Sequence, residues 1–485
     1  MARKKLIPNY ISIILWILSM IVLSLLTFEI YKANVLPSKF FIYIGGVFLF
    51  MIIMFLLFIK NKKTKRPILI ILDLLFIIMI GGCYFGYSKL NDLMNFLENN
   101  LGAKYETNIY YILVNKDSAY KESKDIKGKT IKLVDELNDK ETIERSVDKK
   151  VDVEFEYVET ITDLLPTLQT DKELILLVNS GTYDAMNEND ELLQKEVPFG
   201  AYTKILETIE IKYREENKAT GIDVTTDPFI VYLSGIDTRS GKLPTKSLSD
   251  VNLLLAINPK THQILMVNTP RDYYVPIHGV GQKDKLTHAG IIGGYKTSMA
   301  TLEDLYDIDV KYFVRVNFNA VIKLVDAIDG ITITNDLGKT YKTRHGNNCV
   351  IKPGENKLNG DCALGFARER YAYKDGDNQR GRNQEQVLSK IIEKVTTSKT
   401  LLSKSTDLLE AMTGTFQTNL STKEITSLVK DQIDTMKGWS IDTYNVTGGD
   451  LYTTTYMSPK YEVYVMTPKM DMVNTAKQKL AAFKK

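Results

Sequence analysis

Cysteine and histidine are scarce in this sequence, three and four residues among 485. No C-x-x-C pair occurs, and His262, His278 and His288 lie within the stretch 270–290 or just before it. A structural zinc needs thiolate and imidazole ligands, so this usage argues against a zinc site. Net charge is also nearly missing, with 62 basic residues against 59 acidic ones. Overall electrostatics therefore neither favours nor excludes a nucleic-acid partner, and any polyanion site has to be local.

Charge disappears altogether from two long runs, Ile11–Phe28 and Phe40–Ile59, while a third, Ile68–Tyr87, holds a single Asp73. Each is long enough to cross a bilayer as a helix. The basic start "MARKK" would also suit a cleaved signal peptide, but no small-residue cleavage site follows and two more spans come directly after. Residues 1–87 are therefore expected to form a membrane region. Asp73, near the cytoplasmic end of its span, is expected to reach water there. Arg3, Lys4 and Lys5 precede the first span, and "KNKKTKR" (Lys60–Arg66) joins the second to the third. By the positive-inside rule both are cytoplasmic, which places the loop 31–39 and everything after Tyr87 outside a cell membrane. Nucleic acid is thereby removed from the expected partners. Cys83 falls inside the third span as a small apolar filler. Cys349 and Cys362 are external and flank the turn-rich "CVIKPGENKLNGDC", where an oxidising exterior permits a disulfide.

The length allows two or three domains. After a connecting helix at 88–107, residues 108–220 form one compositional unit. "NIYYILV" and "ELILLVN" are short apolar runs expected to be buried strands, while "TITDLLPTLQ" and "AYTKILETIEIKYREE" have helical spacing. A small α/β accessory module follows from that alternation. From 228 to the end the strand signals strengthen: "FIVYLSGID", "VNLLLAIN", "QILMVNTP" and "KYFVRVN" are nearly continuous apolar runs. Such strands are covered on both faces. With helices expected at "SMATLEDLY", "NAVIKLVDAIDG" and "NQEQVLSKIIEKVTTS", the fold class is a three-layer α/β/α domain with a mixed central sheet.

The chemistry-bearing residues cluster where strands end. Asp237 closes the first strand run and Asp250 opens the next; Arg271 and Asp272 follow "ILMVNTP" directly. Ligands of open α/β sheets bind at such ends. Two aspartates could converge on a hard divalent cation such as magnesium, which completes its shell with water and phosphate oxygens. "FARERYAYKDGDNQRGRNQEQ" then concentrates Arg368, Arg370, Arg380 and Arg382. Guanidinium forks suit phosphate oxygens. A helix starting at "RGRNQEQ" would put Arg380 and Gln384 on one face near its N-terminus, where free amides also favour an anion. A solvated mixed-charge loop, with Glu369, Asp375 and Asp377 as neighbours, is the competing reading.

The blocks "GID…SDVNLLLAINPKTHQILMVNTPRDYYVPI", "KLTHAG", "YFVRVNFNAVIKLVDAIDGITI" and "LNGDCALGFARERYAYKDGDNQRGRNQEQVLSKII" closely resemble the LytR-CpsA-Psr family, in its order, from Phe229 to Ile392. The wider layout resembles the capsule-associated CpsA branch. The resemblance implies a phosphotransferase that moves a capsular or teichoic-acid-like glycopolymer from a polyprenyl-pyrophosphate carrier to peptidoglycan, leaving a phosphodiester. It implies magnesium at Asp237 and Asp250. It implies pyrophosphate at Arg271, Arg368, Arg370, Arg380, Arg382 and Gln384, and Asp237, Arg271 and Asp272 as catalytic residues. Membrane lipid and capsule-assembly membrane proteins are further expected partners. One position departs: Leu248 stands where many members carry arginine, which removes a pyrophosphate contact unless Arg239 or Lys246 of the same loop replaces it. That departure motivates an alternative, a lipid-binding scaffold or weak pyrophosphatase that regulates capsule assembly without transfer.

Overall fold

The computed structural model describes residues 7–60, 66–100, 105–134, 140–158, 164–188, 199–214, 220–236, 243–397 and 404–483. Three helices come first: α1 (Ile7–Ala33), α2 (Ser38–Lys60) and α3 (Arg66–Asn100). Each contains a segment long and apolar enough to cross a membrane. Helix α3 combines the third span with the connecting helix in one unbroken rod. It is described as far as Asn100, and the next strand already begins at Tyr105, before the expected helix boundary at 107. Its last turns dock against the main domain, where Phe96 and Leu97 are buried with Met412, Phe416 and Ile425 packed beside them.

The accessory module is a five-stranded sheet of β1 (Tyr105–Asn115), β2 (Thr130–Val134), β3 (Glu154–Val158), β4 (Ile175–Asn179) and β5 (Thr203–Arg214), in the order β3-β2-β4-β1-β5. Helices α4 (Lys140–Asp148), α5 (Ser180–Glu188) and the short α6 (Phe199–Tyr202) complete it. The expected α/β character is met, with one correction. "AYTKILETIEIKYREE" is not a helix; its described part is mostly β5, paired antiparallel along β1. Ile209, Ile211 and Tyr213 alternate with Glu210 and Lys212, a period of two. The adjacent apolar pair Ile205–Leu206 breaks that phase and imitates a helical stripe. In the structure the break is absorbed by a register shift opposite Ile112 and Leu113. "TITDLLPTLQ" is similarly reduced to a 3-10 turn at Leu165–Gln169, with 160–163 outside the described residues.

The main domain is built on a six-stranded mixed sheet. Its strands are β6 (Phe229–Ile236), β7 (Val251–Asn258), β8 (Gln263–Asn268), β11 (Tyr312–Asn317), β16 (Phe416–Thr418) and β17 (Ser440–Asn445), in the order β16-β11-β6-β7-β8-β17. Short pairs lie outside it: β9 (Tyr274–Pro276) with β10 (Lys283–Lys285), β12 (Ile331–Asn335) with β15 (Gly354–Leu358), β13 (Tyr341–Lys342) with β14 (Val350–Ile351), and β18 (Gly448–Thr453) with β19 (Val463–Pro468). One face of the sheet packs Tyr232, Leu254 and Val267 against α7 (Leu286–Ile292), α8 (Gly294–Tyr306) and the helix Met470–Phe483. The other face packs Val231, Leu255 and Met266 against α11 (Gly376–Val395) and the helix Thr422–Thr435. This is the expected α/β/α sandwich. Helices α9 (Phe318–Ala327) and α10 (Gly360–Arg368) build a satellite core with β12 and β15. Asn317 and Asn359 cap these two helices by accepting from the amides of Ala320 and Cys362. Cys349 and Cys362 are joined by a disulfide beside that core, with 5.5 Å between their α-carbons.

Candidate active site at the sheet edge

Strand direction decides which loops meet. Strand β11 runs parallel to β6, β7 runs antiparallel to it, and β8 runs antiparallel to β7. The end of β6, the start of β7 and the ends of β8, β11 and β17 therefore share one edge of the sheet. Asp250 sits there, its amide donating to the Gly235 carbonyl at 2.9 Å. Arg271, three residues past β8, reaches across and places Nη1 2.5 Å from Asp250 Oδ1. Both side chains are largely buried, 14% and 9% exposed.

Asp272 lies beside them. Its Oδ2 is 3.8 Å from Arg271 Nε and its Oδ1 is 3.4 Å from Lys285 Nζ. Burial alone would raise its pKa, but Arg271, Lys285 and Arg380 outweigh that and hold the carboxyl below the usual carboxylate range. Arg380 pairs with Asp377, Nη2 to Oδ1 at 2.7 Å. Burial raises the Asp377 carboxyl, with Asp272 adding to the effect, although Arg380, Arg271 and Arg370 oppose it. Arg271, Asp272, Asp377, Arg380 and Lys285 thus form one electrostatic group, with Arg370 within reach of it.

The arginine helix α11 is seated by Gly381. A Cβ there would collide with the side-chain amide of Asn268 at the end of β8, so a larger residue would have to displace that amide for the helix to lie this close to the strand ends. The helix begins at Gly376, four residues before Arg380, so Arg380 and Gln384 stand in its second and third turns rather than at its N-terminus. Residues two apart on a helix point roughly 200° apart, and Arg382 accordingly leaves the group. It turns to Asp375 and to Gln379, where Nε is 2.8 Å from Oε1. Arg368 stacks over Phe318 at the start of α9, 4.4 Å from the ring centroid. Arg370 donates to the Tyr371 hydroxyl at 2.8 Å. Asp237 and Arg239 lie outside the described residues.

Two members of the group were not among the expected site residues. Lys285 opens the "KLTHAG" block and is only 5% exposed, a burial depth a single lysine does not announce. Asp377 stands three residues before Arg380, the spacing of a helical ion pair. In sequence it counts simply as an acidic neighbour.

Leu248 has a different destination from the site. It is 5% exposed and belongs to an apolar cluster that spans both modules, with Val178, Met186 and Tyr202 on one side and Ile291, Met457 and Val465 on the other. The whole segment 244–249 is buried. The Thr245 amide donates to the Thr107 carbonyl of the accessory module at 2.9 Å. The Ser247 amide donates to the Gly290 carbonyl at 3.0 Å, an approach that a Cβ on Gly290 would block. Arg315 on β11, 1% exposed, holds the same segment through Pro244 O at 2.6 Å and Ser247 Oγ at 3.0 Å. Lys246 is buried in this segment too, 6% exposed.

As for a metal, the donors at this edge are carboxylate oxygens. Among the described residues no group of three or more His, Cys, Asp or Glu is arranged to hold an ion. A site here would therefore use one or two carboxylates with the remaining ligands from water or substrate, which suits a hard divalent cation.

The chain has relatives among known proteins. The family model described as "LytR_cpsA_psr family" matches residues 200–479, more than half of the chain, and the chain belongs to that family. It is 32% identical over 253 residues to "Biofilm regulatory protein A" of Streptococcus mutans serotype c, covering 49% of this chain and 61% of that relative's length. It is 31% identical over 245 residues to the "Polyisoprenyl-teichoic acid--peptidoglycan teichoic acid transferase TagU" of Bacillus cereus (strain AH820), covering 49% of this chain and 78% of that one. A solved structure described as "TagT bound to LIIa-WTA" aligns with a TM-score of 0.44 at 30% identity, over 55% of this chain and 94% of that chain.

Proposed function

We propose that this protein is a membrane-anchored phosphotransferase that moves a glycopolymer from a polyprenyl-pyrophosphate carrier to a sugar hydroxyl of peptidoglycan. The observation that carries this reading is the convergence of Asp250, Arg271, Asp272, Lys285 and Arg380 on one sheet edge. Family membership and the name of the TagU relatives support the same reaction class. Transfer of a phosphoryl group needs charge neutralisation and in-line placement more than covalent help.

In this reading Arg271, Arg380 and Lys285 hold the pyrophosphate oxygens, with Arg368 and Arg370 completing the basic rim. Asp272, kept ionised, orients Arg271 and Lys285. Asp250 and Asp237 would hold magnesium, which when bound would neutralise charge on the pyrophosphate. The acceptor oxygen attacks the phosphorus that bears the glycan, the bridging P–O bond breaks, and polyprenyl phosphate departs. The hydroxyl proton passes to a carboxylate of the group. Of the two described candidates, Asp377 with its raised pKa is the stronger base and Asp272 the weaker.

The membrane arrangement follows from the basic flanks, with the N-terminus inside and both folded modules outside. A contact supports it: Lys39, in the expected external loop, pairs with Asp434 of the main domain at 2.9 Å, and Lys430 donates to Asn34 at 2.7 Å. The test is reconstitution of the purified full chain with lipid-linked glycopolymer, peptidoglycan and magnesium. Phosphodiester product is expected from the wild type, with free polyprenyl phosphate released in equal amount. Binding of the lipid without product would select the scaffold reading instead, and lipid phosphate released without acceptor would select pyrophosphatase activity.

A further inference from the structure

The face of α11 turned away from the anion group borders a groove of about 990 Å³, walled by β12 and the turn after it, the segment 372–375 and the end of β17. That is the upper end of the roughly 300–1,000 Å³ usual for small-ligand sites, room for several linked rings rather than one. Its charges are mixed: Arg382 pairs with Asp375, Lys390 lies 2.8 Å from Glu393, and Asp336, Lys339 and Lys374 stand on the rim. Between these charges the wall is neutral and polar. Gln379, Gln386 and Asn445 contribute carboxamides, Tyr373 a phenol, and Ser389 and Thr443 hydroxyls.

A second observation points to a ligand. Glu385 lines the groove yet is only 2% exposed. Its Oε2 accepts from Asn445 Nδ2 at 2.6 Å, while its Oε1 has no hydrogen-bond partner among the described residues. That oxygen is itself enclosed, so leaving it unpaired is costly and a ligand completes it only by the Glu385 carboxyl turning toward the groove. Several neighbours are already fixed: Gln386 Oε1 accepts from the Thr334 amide at 3.1 Å, and Asn445 Oδ1 from Asn268 Nδ2 at 3.1 Å. The groove therefore presents a preorganised set of planar amide and carboxyl groups, which is the complement of vicinal hydroxyls.

We propose that this groove is a saccharide-binding subsite that holds a run of sugar rings next to the pyrophosphate site, on the opposite face of the same helix. The assignment of a saccharide rests on the groove itself; its part in transfer rests on the phosphotransferase reading above. The glycan has two sources with the same chemistry, the donor glycopolymer and the peptidoglycan acceptor strand.

The experiment uses the full chain in lipid nanodiscs and three probes in titration calorimetry. They are a β-1,4-linked N-acetylglucosamine tetrasaccharide for the acceptor, glycopolymer released from host walls by mild acid for the donor, and geranylgeranyl pyrophosphate for the anion site. One of the two saccharides is expected to bind, and which one binds identifies the source. The double variant Gln386→Ala/Lys390→Ala should weaken that binding about tenfold, the loss of roughly two hydrogen bonds. Its affinity for geranylgeranyl pyrophosphate should stay unchanged, which also reports that the variant is folded. Arg380→Ala should show the reverse pattern. The proposal is overturned if neither saccharide binds at millimolar concentration, or if the double variant binds as the wild type does. Saccharide binding with no affinity for geranylgeranyl pyrophosphate would instead count against the phosphotransferase reading and leave the groove assignment standing.

Discussion

Arg380 and Arg382 differ by two positions on one helix, and the structure gives them opposite surroundings. Arg380 faces Asp377, Asp272 and Arg271 at the sheet edge, where buried guanidinium and carboxylate groups are interleaved in one network. Arg382 faces Asp375 and Gln379 on the wall of a groove lined mainly by neutral polar groups and by separate ion pairs. Identity as arginine does not decide the role; the helical period does. One face is prepared for a dianion and the other for uncharged polar groups.

The comparison is broken most directly from the anion side. Arg271→Ala and Arg380→Ala are each expected to lower transfer by about 10²–10³, the size of losing one preorganised donor to a developing negative charge. Release of polymer from wall to medium in cells lacking other transferases is the cellular readout. Undiminished wall attachment in both variants would contradict the assignment.

A second substitution tests Leu248, which stands where the family resemblance leads one to expect arginine. Leu248→Arg puts an unpaired charge into the apolar cluster between the two modules and should destabilise by about 3 kcal/mol. The readout is the thermal midpoint of the full chain, together with faster proteolysis within the accessory module. A gain in pyrophosphate affinity without loss of stability would mean that the side chain can still reach the anion site.

Glu385 sharpens the contrast through pH. Burial pushes its pKa up to about 8, against the opposing pull of Asn445 and Arg382. The folded state then keeps a proton that the unfolded state loses. This contribution to stability is whole below the ordinary glutamate pKa and disappears as pH rises through the folded value. Glu385→Gln should therefore match the wild type near pH 4 and exceed it by roughly 2 kcal/mol at pH 7, discounted for relaxation around Arg382. Equal thermal midpoints across that range would remove the buried ionisation from the account. The smallest effect belongs to Arg382→Ala. Its partly exposed pair with Asp375 is worth less than about 1 kcal/mol, and affinity for geranylgeranyl pyrophosphate should change by no more than about threefold.

Most of the architecture was legible because it depends on local patterns. Continuous apolar runs marked β6, β7, β8 and β11 as strands covered on both faces, and three charge-poor runs marked the apolar helices. The error at β5 arose because the paired apolars Ile205 and Leu206 sit at a register shift, and the shift is created by the partner strand β1, which no local window contains. At the site, Arg271 and Asp250 were readable as residues adjoining strand ends. Lys285 was not, since its burial is produced by β10 lying against β9 beside the site. Leu248 was legible only in part, for a similar reason. Its slot in the motif suggested a missing ligand contact, whereas the accessory module supplies the apolar surface that buries it.

The central claim is that the pyrophosphate is held on the Arg380 side of α11 and not on the Arg382 side. A crystal structure of the full chain with geranylgeranyl pyrophosphate and magnesium measures this directly. The account predicts phosphate oxygens within hydrogen-bond distance of Arg271 and Arg380, with Arg382 still paired to Asp375. Phosphate density in the groove, contacting Arg382 and Lys390 while Arg271 remains on Asp250, would contradict it.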